Sequence, residues 1–518
     1  MTEQISNSIQ QPSFKDFNWG NSRNRLILQL AGVAFIIQLA IFKYFYPYAS
    51  FIHADSFVYI ESAYHNLDVN TYMIGYSKFL RLISILTKSD TIIVFIQYLL
   101  IQGSSIFFLL TIFYFYKPRF SLQLCLVCFM IFNPLFLYLA NLISSDGLFL
   151  SLSMIWVTLL LWLLNRPSVK LIVIHALVLY LTFTVRYNAL IYPFISIGVF
   201  IITRQSLYNK VLGIVLGSLL CGLFVVFTGY KYKKLTGYWQ YSPFAGWQMA
   251  NNGMYAYRYV DRNDRKPVPE KFKVLDNMVR QYFDSTRDTK KYPIEAIMAS
   301  TFYMWSPGLP LFKYRDLQFK TDTTSSELKR WASMGPLYRE YGAFLIKQYP
   351  SYYMRYFLWP NTNKYYAPPI EFLEEYNSGK NFVTAETKEW FAYKSQKVMT
   401  RFKDSKISIL NFYSIMSGMV NILMLCTLAS FILLKGWRDN RAFGKGILLG
   451  GSIWLFNAIF TVCASSAALR FQAFPILLTT SIALLLLDQI ISRAKVAANI
   501  DKGLEAASSQ STPGKAIA

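Results

Sequence analysis

The sequence predicts an all-α polytopic membrane protein with about ten transmembrane helices, interfacial helices in its first outer loop and a mostly helical outer domain. Three observations carry that expectation. The chain of 518 residues is 54% hydrophobic and only 15% charged, where soluble domains hold nearer a quarter of charged residues. Its mean hydropathy is +0.29, and apolar runs of bilayer length recur along it. Ionisable residues fall at the ends of those runs rather than within them.

A helix needs roughly 20 apolar residues to cross a bilayer. On that basis spans are expected near 26–46, 91–116, 121–140, 146–164, 169–186, 188–203, 211–229, 408–434, 446–466 and 470–491. The fifth and sixth meet tightly at Arg186-Tyr187-Asn188. The N-terminus lacks the basic, apolar and small-residue pattern of a cleaved signal, so the first span is expected to stay as an anchor. This divides the chain into an N-terminal segment 1–25, a membrane core 26–229 containing the outer loop 47–90, an outer domain 230–406, closing spans 407–492 and a disordered tail 493–518.

Basic residues set the sidedness. Arg23 and Arg25, Lys117 and Arg119, Arg166 and Lys170, Arg204 and Lys210, Lys435 through Lys445, and Arg493 and Lys495 all fall on one side if both termini are cytoplasmic. The net charge of +24 is absorbed in part by this flanking pattern facing anionic headgroups, so it gives no reason to expect nucleic acid. The 230–406 loop is basic as well; long translocated loops escape the charge rule, and this excess suits a phosphate-bearing lipid or a membrane surface.

In the first outer loop, apolar and aromatic residues recur at helical spacing through Phe57, Ile60 and Tyr64, and again through Phe79, Leu82, Ile83 and Leu86. This predicts two helices lying along the interface, with Lys78, Arg81 and Lys88 on their wet sides. In the second, helical stretches are expected near 269–287, 325–348 and 384–403, broken by proline-rich turns. The aromatic content of 338–366 suits a surface at headgroup level.

Cys125 and Cys128 form a C-x-x-C one turn apart in a lipid-depth helix with no second ligand pair, which reads as packing rather than a metal or redox site. His53, His65 and His175 show no metal-ligand spacing. No P-loop, dinucleotide fingerprint, G-x-S-x-G or H-E-x-x-H occurs, so a donor used at the outer face has to be carried in the membrane.

Four residues stand out: Asp55, Asp146, Arg186 and Arg470 lie at span ends that one topology places on the same face. A charge near hydrocarbon costs about 3 kcal/mol or more unless paired or wetted. Asp55 reads as a general base for a hydroxyl or as a helix N-cap. Asp146 opens the fourth span, where Ser144 and Ser145 could cap without a charge. Arg186 and Arg470 offer guanidinium forks for a phosphate, or snorkel to headgroups.

Together these features resemble the glycosyltransferase C superfamily, polytopic enzymes that use polyprenyl-phosphate-linked sugars, and within it the protein O-mannosyltransferases and the aminoarabinose transferases of lipid A. The matching residues are Asp55, Tyr59 and Ala63 in D-x-x-x-Y-x-x-x-A, Asp146 at the outer start of the fourth span, and Arg186 at the next outer turn. Coverage is roughly residues 26 to 230 and the last span. Ser56 stands where the family has a second acid, the proline after the first interfacial helix is absent from Met73-Ile-Gly-Tyr-Ser, and Asp146 replaces a common Glu.

The resemblance implies an inverting transfer of a sugar from a polyprenyl-phosphate donor to a hydroxyl acceptor on protein, lipid or glycan. It implies Asp55 and Asp146 as the catalytic residues, Asp55 as general base on the acceptor hydroxyl and Asp146 orienting the acceptor or the sugar, and Arg186, Arg470, Lys78, Lys88 and Arg81 around the donor phosphate. His53, Tyr59 and Glu61 would form the acceptor or sugar pocket. No cofactor is certain; some members use a divalent cation. A bacterial inner membrane with a periplasmic site is the implied setting. Two rival readings are a flippase or transporter of a lipid-linked sugar, and a lipid-linked glycan polymerase or ligase using Arg258, Arg262 and Arg265 in the second loop.

Overall fold

A computed structural model describes residues 12–510, apart from 403 and 465 and the side chains of 497 and 500–510. Among the described residues it is helical, with isolated bridges but no strand. Eight helices among the described residues are long and apolar enough to cross a membrane. In the first half these are α1 (Ser22–Phe45), then α4 (Asp90–Tyr116), α7 (Ser145–Asn165) and α10 (Leu207–Thr236), reached past the short helices described next. The run Phe120–Asn141 is another, built from α5 (Phe120–Ile131) and α6 (Pro134–Asn141) with a break at Asn133-Pro134. Proline at the first helical position lacks the N–H that would continue α5, and the Asn133 side chain caps the new start. Phe412–Leu433, Arg441–Ala464 and Leu469–Val496 complete the eight.

Two further expected spans are shorter apolar helices, α8 (Val169–Val185) and the stretch Tyr187–Ile202, which holds a 3₁₀ turn and α9 (Tyr192–Ile202). The turn between them is as tight as the sequence suggested, because Arg186 alone leaves helical geometry. The last helix continues to Gln510, through most of the segment expected to be disordered; residues 511–518 lie outside the described residues.

The first outer loop forms α2 (Asp55–Tyr64) and α3 (Gly75–Ser84). Beyond the spans, the chain forms two bodies rather than the single outer domain expected. From Tyr232 to Phe357 it builds its own core around α11 (Pro243–Tyr257) and the helices Lys273–Ser285 and Gly335–Gln348. The segment from Leu373 to Val398 packs into the membrane core and clasps the first loop instead. Tyr376 Oη donates to the carbonyl of Ala49 at 3.1 Å, the Asn377 amide to Ser50 Oγ at 2.9 Å and Tyr393 Oη to Asp90 at 2.9 Å.

The helix expected at 384–403 is confined to Ala385–Trp390. It ends because Ala392 takes a φ of 50°, and the chain turns back so that the Val383 amide meets the Gln396 carbonyl. The expected headgroup surface at 338–366 is also only partial. Tyr338 and Tyr341 are fully buried, Tyr341 donating to Asp276 at 2.9 Å, while Met354 and Trp359 remain exposed.

Helix α11 and the helix Gly335–Gln348 form the tightest crossing in the outer body. Gly246 lies on the Gly335 backbone and Gly342 on the Met249 backbone, so a Cβ at either position meets main chain that cannot swing aside. Overpacking of this kind destabilises by about 1–3 kcal/mol or more. Gly342→Val is therefore expected to lower the thermal unfolding midpoint of the purified protein in detergent, whereas Gly308→Ala, where a Cβ meets open space, leaves it unchanged.

Candidate functional site

The four span-end residues come together at one end of the bundle. Arg470 opens the last helix and is buried between both acids: its Nη2 lies 3.1 Å from Asp55 and its Nη1 3.3 Å from Asp146. Arg186 pairs with the other Asp146 oxygen and donates to Ser145 Oγ at 3.3 Å. The Phe471 ring lies between the two guanidinium groups, 4.4 Å from that of Arg470 and 4.5 Å from that of Arg186, and Phe372 covers Arg470 from the outer side at 4.7 Å.

Local structure explains each placement. Asp146 is not a cap: Ser144 fills that role, its Oγ accepting from the Asp146 amide at 3.2 Å, which frees the carboxylate for the arginines. Asp55 is not a cap either. It begins α2 after Ala54, which is held at φ 80° and ψ −65°, a costly conformation for a residue with a Cβ. Ser56 locks this turn by accepting from the Ile52 amide at 2.8 Å, while its own amide donates to the Ile52 carbonyl at 2.9 Å. Gly75 lies on the backbone of Thr184 and so ties the start of α3 to the end of α8, immediately before Arg186.

A cavity of about 760 Å³ opens from this cluster toward the outer body. Asp55, Arg186 and Arg470 line it, with His53 and Tyr59. Asp146 stands behind the arginines with its side chain 1% exposed, against 23% for Asp55. Tyr59 donates to or accepts from Ser145 Oγ at 3.0 Å, and burial pushes its phenol up to about 12. His53 packs edge-on against Phe57 and Phe382, and burial, with Lys380 nearby, lowers its proton affinity.

The other expected site residues lie elsewhere. Lys78 donates to Asn66 and pairs with Asp68 at 3.6 Å, and Arg81 Nη1 caps the end of α2 through the Ala63 carbonyl at 2.9 Å. Lys88 and Glu61 are exposed and outside the cavity lining. The three second-loop arginines are also committed: Arg258 to Glu295 at 2.8 Å, Arg265 and Arg262 to Asp284 at 2.7 and 3.2 Å.

Sequence reasoning missed Tyr72 and Glu371. Tyr72 donates to Asp55 Oδ1 at 2.6 Å; burial first, then the Asp55 charge, push its phenol well above the ordinary range, so it stays a donor. Glu371 lines the cavity beside Phe372, and burial raises its proton affinity against the pull of Lys364 and Arg470. Both sit in irregular segments where no periodicity marks them, and their long-range partners have no sequence signal.

Among the described residues no group of three or more His, Cys, Asp or Glu could hold a metal ion. The two acids are already engaged by arginines, a donor set that does not fit a cation. Comparison with protein-family models, with curated proteins and with solved structures finds no match for this chain.

Removing Asp146 would leave the partly buried Arg186 guanidinium without its carboxylate and the buried Arg470 with Asp55 alone. Asp146→Ala is expected to destabilise the protein by about 3–5 kcal/mol in detergent unfolding. Ala54→Gly, which relieves the strained turn, is expected to raise stability by about 1 kcal/mol in the same measurement.

Proposed function

We propose that the protein is a membrane-embedded glycosyltransferase that moves a sugar from a polyprenyl-phosphate donor to a hydroxyl acceptor. The observation that carries this reading is a partly exposed carboxylate, Asp55, sharing one cavity with two arginines that a second, buried acid holds in place.

The chemistry follows from these positions. Arg470 and Arg186 both line the cavity, so an anionic phosphate there meets guanidinium groups already fixed by Asp146. The acceptor hydroxyl attacks the anomeric carbon, the bond from that carbon to the phosphate oxygen breaks, and polyprenyl phosphate leaves. The hydroxyl proton passes to Asp55, which Tyr72 and Arg470 orient. Attack opposite the leaving group inverts the anomeric centre. Asp146 acts here as a positioning residue.

A large, mostly apolar cavity at the end of a bundle suits a substrate whose tail remains in lipid. The basic flanks Arg119 and Lys445 lie at the other end of the helices, where Arg119 meets Asp488 and Lys445 donates to the Ile202 carbonyl at 3.0 Å. By the charge rule the cavity then faces the outer compartment, the periplasm in a bacterial inner membrane. Arg258, Arg262 and Arg265, which a polymerase or ligase reading would use, pair with acids of their own body and lie outside the cavity lining, which supports the transferase reading over that rival.

With radiolabelled polyprenyl-phosphate mannose, arabinose and glucose as donors, Asp55→Asn is expected to reduce transfer by a factor of ~10²–10⁴ while the protein is still expressed and inserted, its unfolding lowered less than by Asp146→Ala because Asp146 still pairs with Arg470. Lys78→Ala is expected to keep wild-type transfer. Undiminished transfer by Asp55→Asn would remove Asp55 as the base. Sidedness is checked separately: in a cysteine-free background, an impermeant maleimide is expected to label Lys329→Cys from outside and Arg438→Cys only after permeabilisation.

A further inference from the structure

The charged floor of the cavity accounts for only one of its ends. The opposite wall comes from the outer body and differs in chemistry. Phe244 and Trp305 pack with Tyr72, their ring centroids 5.9 to 6.3 Å apart, and Tyr187 stacks on Phe244 at 5.8 Å. Beside these rings lies Gln248, which is 6% exposed and donates to Asn252 Oδ1 at 2.7 Å. Its Oε1 has no partner among the described residues although the side chain lines the cavity. Turning the amide over leaves the other polar atom unpaired, so one hydrogen-bonding position stays open either way. An unsatisfied buried polar atom is costly, and in a cavity wall it calls for a ligand atom.

Aromatic faces beside a neutral amide match one substrate chemistry well, Arg339 being the one charged residue that the outer body adds to the lining. A sugar ring presents C–H faces that pack on aromatic rings and hydroxyls that both donate and accept to an amide. We infer that this wall binds a neutral saccharide and that the acceptor of the transfer is therefore a glycan or glycoside. The inference rests on the transferase reading for its chemistry but on separate residues for its site. Tyr72 joins the two ends: its ring belongs to the aromatic wall and its hydroxyl bonds Asp55, so a saccharide held there brings its own hydroxyl to the base. That hydroxyl forms the new bond to the anomeric carbon as polyprenyl phosphate departs, and its proton goes to Asp55.

The test titrates the full-length protein in detergent with neutral hexosides, N-acetylhexosaminides and pentosides, reading tryptophan emission, and measures transfer from the polyprenyl-phosphate donors in parallel. The expected result is an emission change that is lost in Trp305→Phe. Its midpoint rises at least tenfold in Gln248→Leu, and it persists in Asp55→Asn, which no longer transfers. Thr301→Val, at another position of the lining, is the second variant should Gln248→Leu not fold; a rise in its midpoint carries the same weight.

If no saccharide shifts the emission, or the wall variants leave its midpoint unmoved, while sugar still passes to a serine- and threonine-containing peptide or to a lipid alcohol, the inference is overturned and the transferase reading stands. If saccharides bind through this wall but no donor yields product, the transferase reading falls and a saccharide site remains. Absence of both overturns both.

Discussion

Arg470 is the contact on which the rest of the site depends. Its two terminal nitrogens reach back from the last helix to two carboxylates of the first half of the chain, Asp55 at the start of α2 and Asp146 at the start of α7. A guanidinium moved out of water loses several kcal/mol of solvation, and only well-placed partners recover it. With Arg186 on the far side of Asp146, two positive and two negative charges form a set close to neutral. The spans cannot slide or rotate independently without breaking that set. It thus fixes the helix ends and the cavity floor together, with both arginines in the cavity lining.

The division of labour between the two acids follows from burial alone. Asp146 is enclosed and saturated by arginines and by Ser144; Asp55 is reached from the cavity and bonded on one side by a phenol. Their similar positions at span ends gave no hint of this difference, which arises from packing between segments hundreds of residues apart.

Helix positions were legible in the sequence because hydrocarbon imposes a length and a composition on every span. Helices α2 and α3 were legible from periodicity, and the four charged residues from their expense near lipid. The irregular outer segments were not. Nothing in the pattern of 366–407 says that it leaves the outer body and clasps the first loop, since its partners, the Ala49 carbonyl, the Ser50 hydroxyl and the Asp90 carboxylate, are about 300 residues away in sequence. Lys78, Arg81 and Lys88 drew attention because a basic residue near a phosphate site is chemically sensible. Arg81 instead satisfies the bare carbonyls at the end of α2, and Lys78 serves local acids and amides. Charge sign was readable; direction was not.

The short run from Pro369 to Phe372 carries a mechanical consequence. The Pro369 carbonyl accepts from the Leu469 amide at 2.8 Å, and three residues on, the Phe372 ring lies over Arg470. One strip of backbone therefore grips the last helix at its first turn and shields the guanidinium from above. Any shift of that strip which widens the mouth of the chamber also uncovers the cation, so admission of a large guest and hydration of the anchoring charge are a single movement.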